Sequence, residues 1–373
     1  MPIGDTMISI NAPQVGKEEI EAVVKVMKTG TLTNALGAGP VVKAFENAYA
    51  KYVKAKHAIA MNTGTGALHS ALAAIGVKAG DEVILPSFTF VATAEVVVMA
   101  GARPIFVDID PHTYTISPEA IEKNITKKTK AVMPVDLYGL SADMEPIREI
   151  ADKHGLKIIE DAAQAHGAEY KGKPPGACAN AACWSFYGSK NMTTGEGGMV
   201  TTNDDKIVET IRALRSHGEK KKYMSEMLGH NYHMPEIQAA IGIVQLKRLP
   251  KFVARRTRNA KCLSEKLKKV KRLQVPIVPE GYKHSWYLYT VRMKNAKKEQ
   301  RDKVVEKLQK KGIGAVVCYV NPIHLMPFYS RFCKCKLPET EKAANQVLSL
   351  PVHPGVTPAQ IDYIAETASH VLA

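Results

Sequence analysis

Short apolar, β-branched runs recur along the first 200 or so residues. Between them lie stretches in which apolar positions return every three or four residues. The first pattern predicts buried strands at 57–62, 82–86, 104–108, 131–135, 157–161, 182–186 and 199–202. The second predicts helices at 17–28, 41–52, 67–75 and 92–100, with Val42, Phe45 and Tyr49 on one face of the second. Strands that alternate with helices imply an α/β fold, a mostly parallel sheet of about seven strands between helices. In such sheets ligands bind beyond the carboxyl ends of the strands. A further helix at 235–249 stops at Pro250, where a second helix rich in Arg and Lys begins. A strand at 287–292, a helix at 301–311, a strand at 313–319 and a last helix from Pro358 complete the chain. This predicts a large α/β domain with an N-terminal arm at 1–250 and a small α+β domain at 251–373.

Composition changes little in that picture. Of 373 residues, 45% are hydrophobic and 23% charged, as in ordinary soluble globular proteins. No apolar run approaches the roughly 18 residues that cross a bilayer. Residues 1–12 lack the basic start and apolar centre of a leader, so the expected location is cytoplasmic. The six cysteines show neither a C-x-x-C pair nor zinc spacing. They are expected to be reduced thiols, with no metal site. Cys333 and Cys335 flank Lys334 in a basic loop. The formal net charge of +15 raises the question of nucleic acid. The cations, however, lie along helical runs such as 266–272 and 303–311, the pattern of solvated helix faces. Neither nucleic acid nor membrane is expected as a partner. A basic surface also suits an acidic small substrate.

Candidate chemistry follows the strands. After the first comes Asn62-Thr-Gly-Thr-Gly-Ala-Leu-His69, small residues opening a helix whose free N–H groups suit a single phosphate. The dinucleotide pattern fails, because His69 stands where the third glycine belongs. After the second strand come Phe88 and Phe90, one of which could stack on a flat cofactor. After the fifth, Asp161 ends an apolar run, where it either caps a helix or faces a cationic ring nitrogen. Gln164 follows three residues later, able to donate to a ring oxygen. Between the sixth and seventh strands, Lys190 sits on a tight loop of Gly, Ser, Thr and Asn, where its amine could act as a Schiff-base nucleophile.

A phosphate cradle, an aromatic, a strand-end Asp and a loop Lys, in that order, resemble a pyridoxal phosphate (PLP) enzyme of fold type I. The wording resembles the DegT/StrS-like nucleotide-sugar aminotransferases. The matching segments are N-T-G-T-G-A-L at 62–68, P-S-F-T-F-V-A-T at 86–93, G-A-R-P-I-F-V-D-I-D at 101–110 and E-D-A-A-Q-A-H-G at 160–167. They continue with S-F-Y-G-S-K-N at 185–191, G-E-G-G at 195–198, H-N-Y-H-M-P-E-I-Q-A-A-I-G at 230–242 and S-L-P-V-H-P at 349–354.

The resemblance implies a PLP-dependent transfer of an amino group from L-glutamate to a nucleotide-linked keto-sugar. Lys190 would carry PLP and move the proton, Asp161 would pair with the pyridine nitrogen, and Gln164 would contact the ring hydroxyl. Phe90 rather than Phe88 would stack on the ring, and Thr65, Gly66 and Ser185 would hold the phosphate. Asn231 would reach the phosphate of a neighbouring subunit, making a homodimer with shared active sites. His233, Tyr319 and His324 are candidate substrate contacts, the last two in Tyr319-Val-Asn-Pro-Ile-His324. His284-Ser-Trp-Tyr287 resembles another segment near the family's active site. Two features depart from the family: His233 where Arg is common, and a longer loop at 30–40. The family's dehydratases replace the lysine by histidine, so Lys190 favours transamination over deoxygenation. A sugar dehydratase, another PLP transaminase and a non-enzymatic basic binding or regulatory protein are the alternative readings.

Overall fold

In a computed structural model, residues 7–372 are described. The expectation for residues 1–12 therefore lies partly outside them. A seven-stranded sheet dominates the chain. Its strands are β1 (His57–Met61), β2 (Glu82–Pro86), β3 (Arg103–Val107), β4 (Thr129–Val132), β5 (Lys157–Asp161), β6 (Ala181–Ser185) and β7 (Gly198–Thr202). Their spatial order is β1-β7-β6-β5-β4-β2-β3. β7 runs antiparallel to both neighbours, and the other pairings are parallel. The expected fold type I sheet is thus present. β4 stops earlier than its apolar run suggests, because the chain beyond Val132 pairs with β5 only through a bridge from Val135 to Asp161.

Helices cover both faces: α1 (Lys17–Thr29), α2 (Pro40–Tyr52), α3 (Gly64–Ala74), α4 (Ala92–Met99), α5 (Pro118–Lys123), α6 (Met144–His154) and α7 (Asp205–Arg215). One core joins Ile59, Leu72, Leu85 and Val200 between the sheet and α3, α4 and α7. On the opposite face, Phe45, Tyr49, Trp184 and Met199 pack with α2.

α8 (Glu236–Leu267) overturns one expectation. It is a single 32-residue helix that passes straight through Pro250. Proline there removes one hydrogen bond, yet burial on both sides holds the helix together. Leu246, Leu249 and Val253 belong to the α2 core, and Ala260, Leu263 and Leu267 to a separate core. The boundary expected at residue 250 falls inside this helix.

That separate core contains β8 (Leu273–Gln274), β9 (Tyr289–Met293), α9 (Lys298–Lys310), β10 (Val347–Leu350) and α11 (Pro358–Leu372), while α10 (Pro338–Gln346) precedes β10. β8, β9 and β10 form a three-stranded sheet. The strand expected at 313–319 does not form. Ile313 and Val316 make single bridges to Ile8 and Ser349, so this segment runs between elements as a strap. Cys333 and Cys335 are joined in a disulfide, which corrects the expectation of reduced thiols at these two positions. The other four cysteines are free. Among the described residues, no helix is long and apolar enough to cross a membrane.

Candidate active site

The loop from Phe186 to Gly197 presents Lys190. It is wound on its own backbone: Thr194 N–H donates to the Phe186 carbonyl at 2.9 Å, and Thr193 Oγ1 donates to the same oxygen at 3.0 Å. Lys190 N–H donates to the Tyr187 carbonyl at 2.9 Å. Asn191 Nδ2 ties the loop outward, donating to Ser285 O at 2.9 Å and His166 O at 3.3 Å. The Lys190 ammonium lies 4.5 Å from the centre of the Tyr287 ring. Tyr287 Oη is itself 3.0 Å from Ser189 Oγ. A cation over an aromatic face is held by the ring quadrupole, so Tyr287 fixes where this amine sits.

Asp161 ends β5 and is 5% exposed. Its Oδ2 accepts from Thr93 Oγ1 at 2.8 Å, and Oδ1 accepts from Ala163 N–H at 3.2 Å. Burial pushes this carboxyl up from its ordinary range, while the Thr93 and Ala163 bonds and the Lys190 charge pull it back. Such a carboxylate is incompletely compensated and suits a cationic partner.

A second acid pair lies behind it. Asp136 and Glu160 are 0% and 1% exposed, and the charge of Glu160 adds to burial in raising the Asp136 carboxyl. Glu160 Oε2 accepts from Gly176 N–H at 2.6 Å, and Asp136 Oδ1 accepts from Ala142 N–H at 3.0 Å. Their remaining oxygens, Asp136 Oδ2 and Glu160 Oε1, have no hydrogen-bond partner. Burial raises both groups, Glu160 to about 7. Asp136 N–H also donates to the Asp161 carbonyl at 3.0 Å, so the pair clamps the strand end that carries Asp161.

α3 opens the opposite side. Thr63 caps it, its side chain accepting from Gly66 N–H at 2.9 Å. Thr65 and Gly66 therefore stand in the first turn, where backbone N–H groups lack helical partners. Ser185 faces this turn closely: a Cβ on Gly64 would lie 2.8 Å from that of Ser185. Gly198 packs against the Thr63 backbone with no room for a side chain, which explains the last glycine of G-E-G-G.

Phe88 is fully buried, whereas Phe90 is 55% exposed. Phe90 sits with its ring centre 6.4 Å from that of Tyr319. Gln164 accepts from Tyr138 N–H at 2.9 Å and donates to Tyr319 Oη at 3.2 Å, leaving one amide hydrogen for another acceptor. His233 is half-buried, with Nε2 2.9 Å from Ser216 Oγ; burial first, then the Arg215 and His217 charges, push its pKa down. Asn231 is exposed, and its carbonyl accepts from Asn62 Nδ2 at 3.3 Å. His324 is almost closed off from solvent, its Nδ1 2.7 Å from Ser87 Oγ and its Nε2 3.5 Å from Glu341.

Three positions without an assigned role in the sequence take part here. Thr93 and Tyr287 hold Asp161 and Lys190. His166 donates from Nε2 to the Ser185 carbonyl at 2.7 Å and accepts from Tyr49 Oη at Nδ1, 2.8 Å away. Burial drives its pKa down to about 4, so it is neutral and fixes the end of β6. Its place in E-D-A-A-Q-A-H-G was the available signal.

The residues present fit PLP. A buried, bonded carboxylate suits a cationic nitrogen, a first helical turn with glycines at 64 and 66 beside Ser185 suits a phosphate, and a lysine stands on the loop that follows Ser185. Fold and site thus define a PLP enzyme of fold type I. The sequence profile described as the DegT/DnrJ/EryC1/StrS aminotransferase family matches residues 13–369, and the chain belongs to that family. It is 41% identical over 368 residues to a GDP-perosamine synthase of Caulobacter vibrioides, covering 98% of both chains. A UDP-2-acetamido-2-deoxy-3-oxo-D-glucuronate aminotransferase of Pseudomonas aeruginosa is 41% identical over 327 residues, covering 87% of this chain and 89% of that one. The crystal structure of Streptomyces venezuelae DesV with a ketimine intermediate superposes with a TM-score of 0.90 at 37% identity, over 95% of this chain and 94% of that one. The protein is accordingly a PLP-dependent sugar aminotransferase.

Proposed function

We propose that the enzyme moves the amino group of L-glutamate to a nucleotide-linked keto-sugar, releasing 2-oxoglutarate and an amino sugar. The observation that carries this reading is a lysine amine held over the Tyr287 ring on the loop after β6, with the buried carboxyl of Asp161 at the end of the neighbouring strand β5. PLP, when bound, supplies an electron sink for the carbon that loses its proton. Asp161 would hold a proton on the pyridine nitrogen. The Lys190 amine would accept the proton that the amino donor's carbon loses and give it back during the transfer. Tyr287 holds the lysine amine over that path. Thr65, Gly66 and Ser185 would anchor the phosphate, Phe90 would cover the ring, and Gln164 would offer its remaining N–H to the ring oxygen. His233 and Tyr319 line the approach for the sugar nucleotide.

The reading includes a homodimer in which Asn231 reaches the neighbouring phosphate. Tyr223, Met224 and Leu228, at 83%, 60% and 84% exposure on the segment leading to Asn231, support a covering partner. It also includes a division into an α/β unit at 1–250 and an α+β unit at 251–373, supported by the separate core of the latter. Relatives named for GDP- and UDP-linked sugars leave the nucleotide open. The test is product analysis with L-glutamate and candidate keto-sugars. Formation of 2-oxoglutarate matched by an amino sugar supports transamination; loss of a sugar hydroxyl without amine transfer sinks it.

A further inference from the structure

Two basic runs that look like separate solvated helix faces in the sequence meet in space. Lys303 and Lys307 stand one turn apart on α9. Lys271 and Arg272 precede β8, and Lys294 follows β9. The pairing of Leu273 with Met293 and a 2.8 Å bond from Lys294 N–H to the Arg272 carbonyl bring these last two segments together. All five cations line one cavity of about 650 Å³. No Asp or Glu lines it, and among the described residues none of the five makes an ion pair. Elsewhere the same helix neutralises itself, as Lys310 does with Glu306 at 2.6 Å.

Like charges one turn apart destabilise a helix, and five around one concavity repel one another more strongly. A multivalent anion relieves that repulsion. The floor is apolar: Met293, Val304 and Leu372 line it. A cationic rim over an apolar floor recognises a ligand with clustered negative charge at one end and a flat apolar body at the other. The volume of about 650 Å³ is of the size that takes a nucleotide.

We propose that this cavity is a binding site for a nucleoside diphosphate, with its phosphates on Lys294, Lys303 and Lys307 and its base against Met293 and Val304. It shares no residue with the surroundings of Lys190 and stands whether or not the proposed reaction is correct.

Calorimetric titration of the PLP-loaded full chain with GDP tests it, with Lys303→Glu/Lys307→Glu as one variant and Lys294→Glu as a second on a different element. All three positions are exposed, so the fold tolerates the changes. The expected result is that both variants lose one binding event per chain, or weaken it at least tenfold, with the visible absorbance of bound PLP unchanged. Isotherms identical to the unaltered protein's overturn the proposal. So does tighter binding of a random single-stranded DNA oligomer than of GDP, lost through the same substitutions, because it would mark a general polyanion surface.

Discussion

At the floor of the site, Asp161, Thr93 and His166 are buried on or beside strand ends, with hydrogen bonds made inside the chain. At the rim, Phe90, Asn231 and Tyr223 stand in solvent on loops. The floor places charges where reorganisation is costly, and so fixes the chemistry in advance. The rim exposes apolar and polar groups that cost the fold little and await a ligand or a second subunit. Floor substitutions should therefore move catalysis or stability strongly, and rim substitutions should move binding alone.

The largest effect is expected at Lys190. Lys190→Ala should lower turnover by at least about 10³-fold in an assay of 2-oxoglutarate release, while PLP still binds through its phosphate. Retained turnover would break the assignment of the floor. Next come the two phenylalanines, close in sequence and opposite in burial. Phe88→Ala should cost about 3–5 kcal/mol in denaturant unfolding, as for a fully buried ring. Phe90→Ala should leave unfolding within about 0.5 kcal/mol and weaken PLP binding by about 1 kcal/mol, read by equilibrium dialysis. Equal stability losses at both would erase the distinction. Asp161→Asn keeps the shape and removes the charge. It should lower kcat by about 10²-fold and leave unfolding nearly unchanged.

The smallest effect is a pH slope. Burial raises Glu160 from 4.5 to about 7 in the fold, so its contribution to stability is complete below about 4.5 and is lost as the pH rises through about 7. The melting temperature of the PLP-free protein should therefore fall between pH 5 and pH 8, and Glu160→Gln should flatten that fall. An unchanged slope in the variant would show that Glu160 does not take up its proton in this range.

Features set by local pattern were legible in the sequence. The β-branched run at 157–161 predicts β5 to the residue, and the small-residue stretch after β1 predicts the start of α3 within three residues. Features set by distant contacts were not. Pro250 marks a helix end by local rules, but two cores on either side of it carry α8 through. The apolar run at 313–319 lacks a neighbouring strand to pair with along its length. Asp136 and Glu160 are 24 positions apart, and only the bridge between Val135 and Asp161 brings them together. The lysine runs hid their convergence for the same reason.

The most direct test of the central claim is the visible spectrum of the purified protein with PLP, before and after L-glutamate, for the unaltered chain and for Lys190→Ala. The account predicts a yellow band from PLP held covalently by Lys190, bleached by L-glutamate, and no such band in the variant. A band of the same position and strength in Lys190→Ala would contradict it.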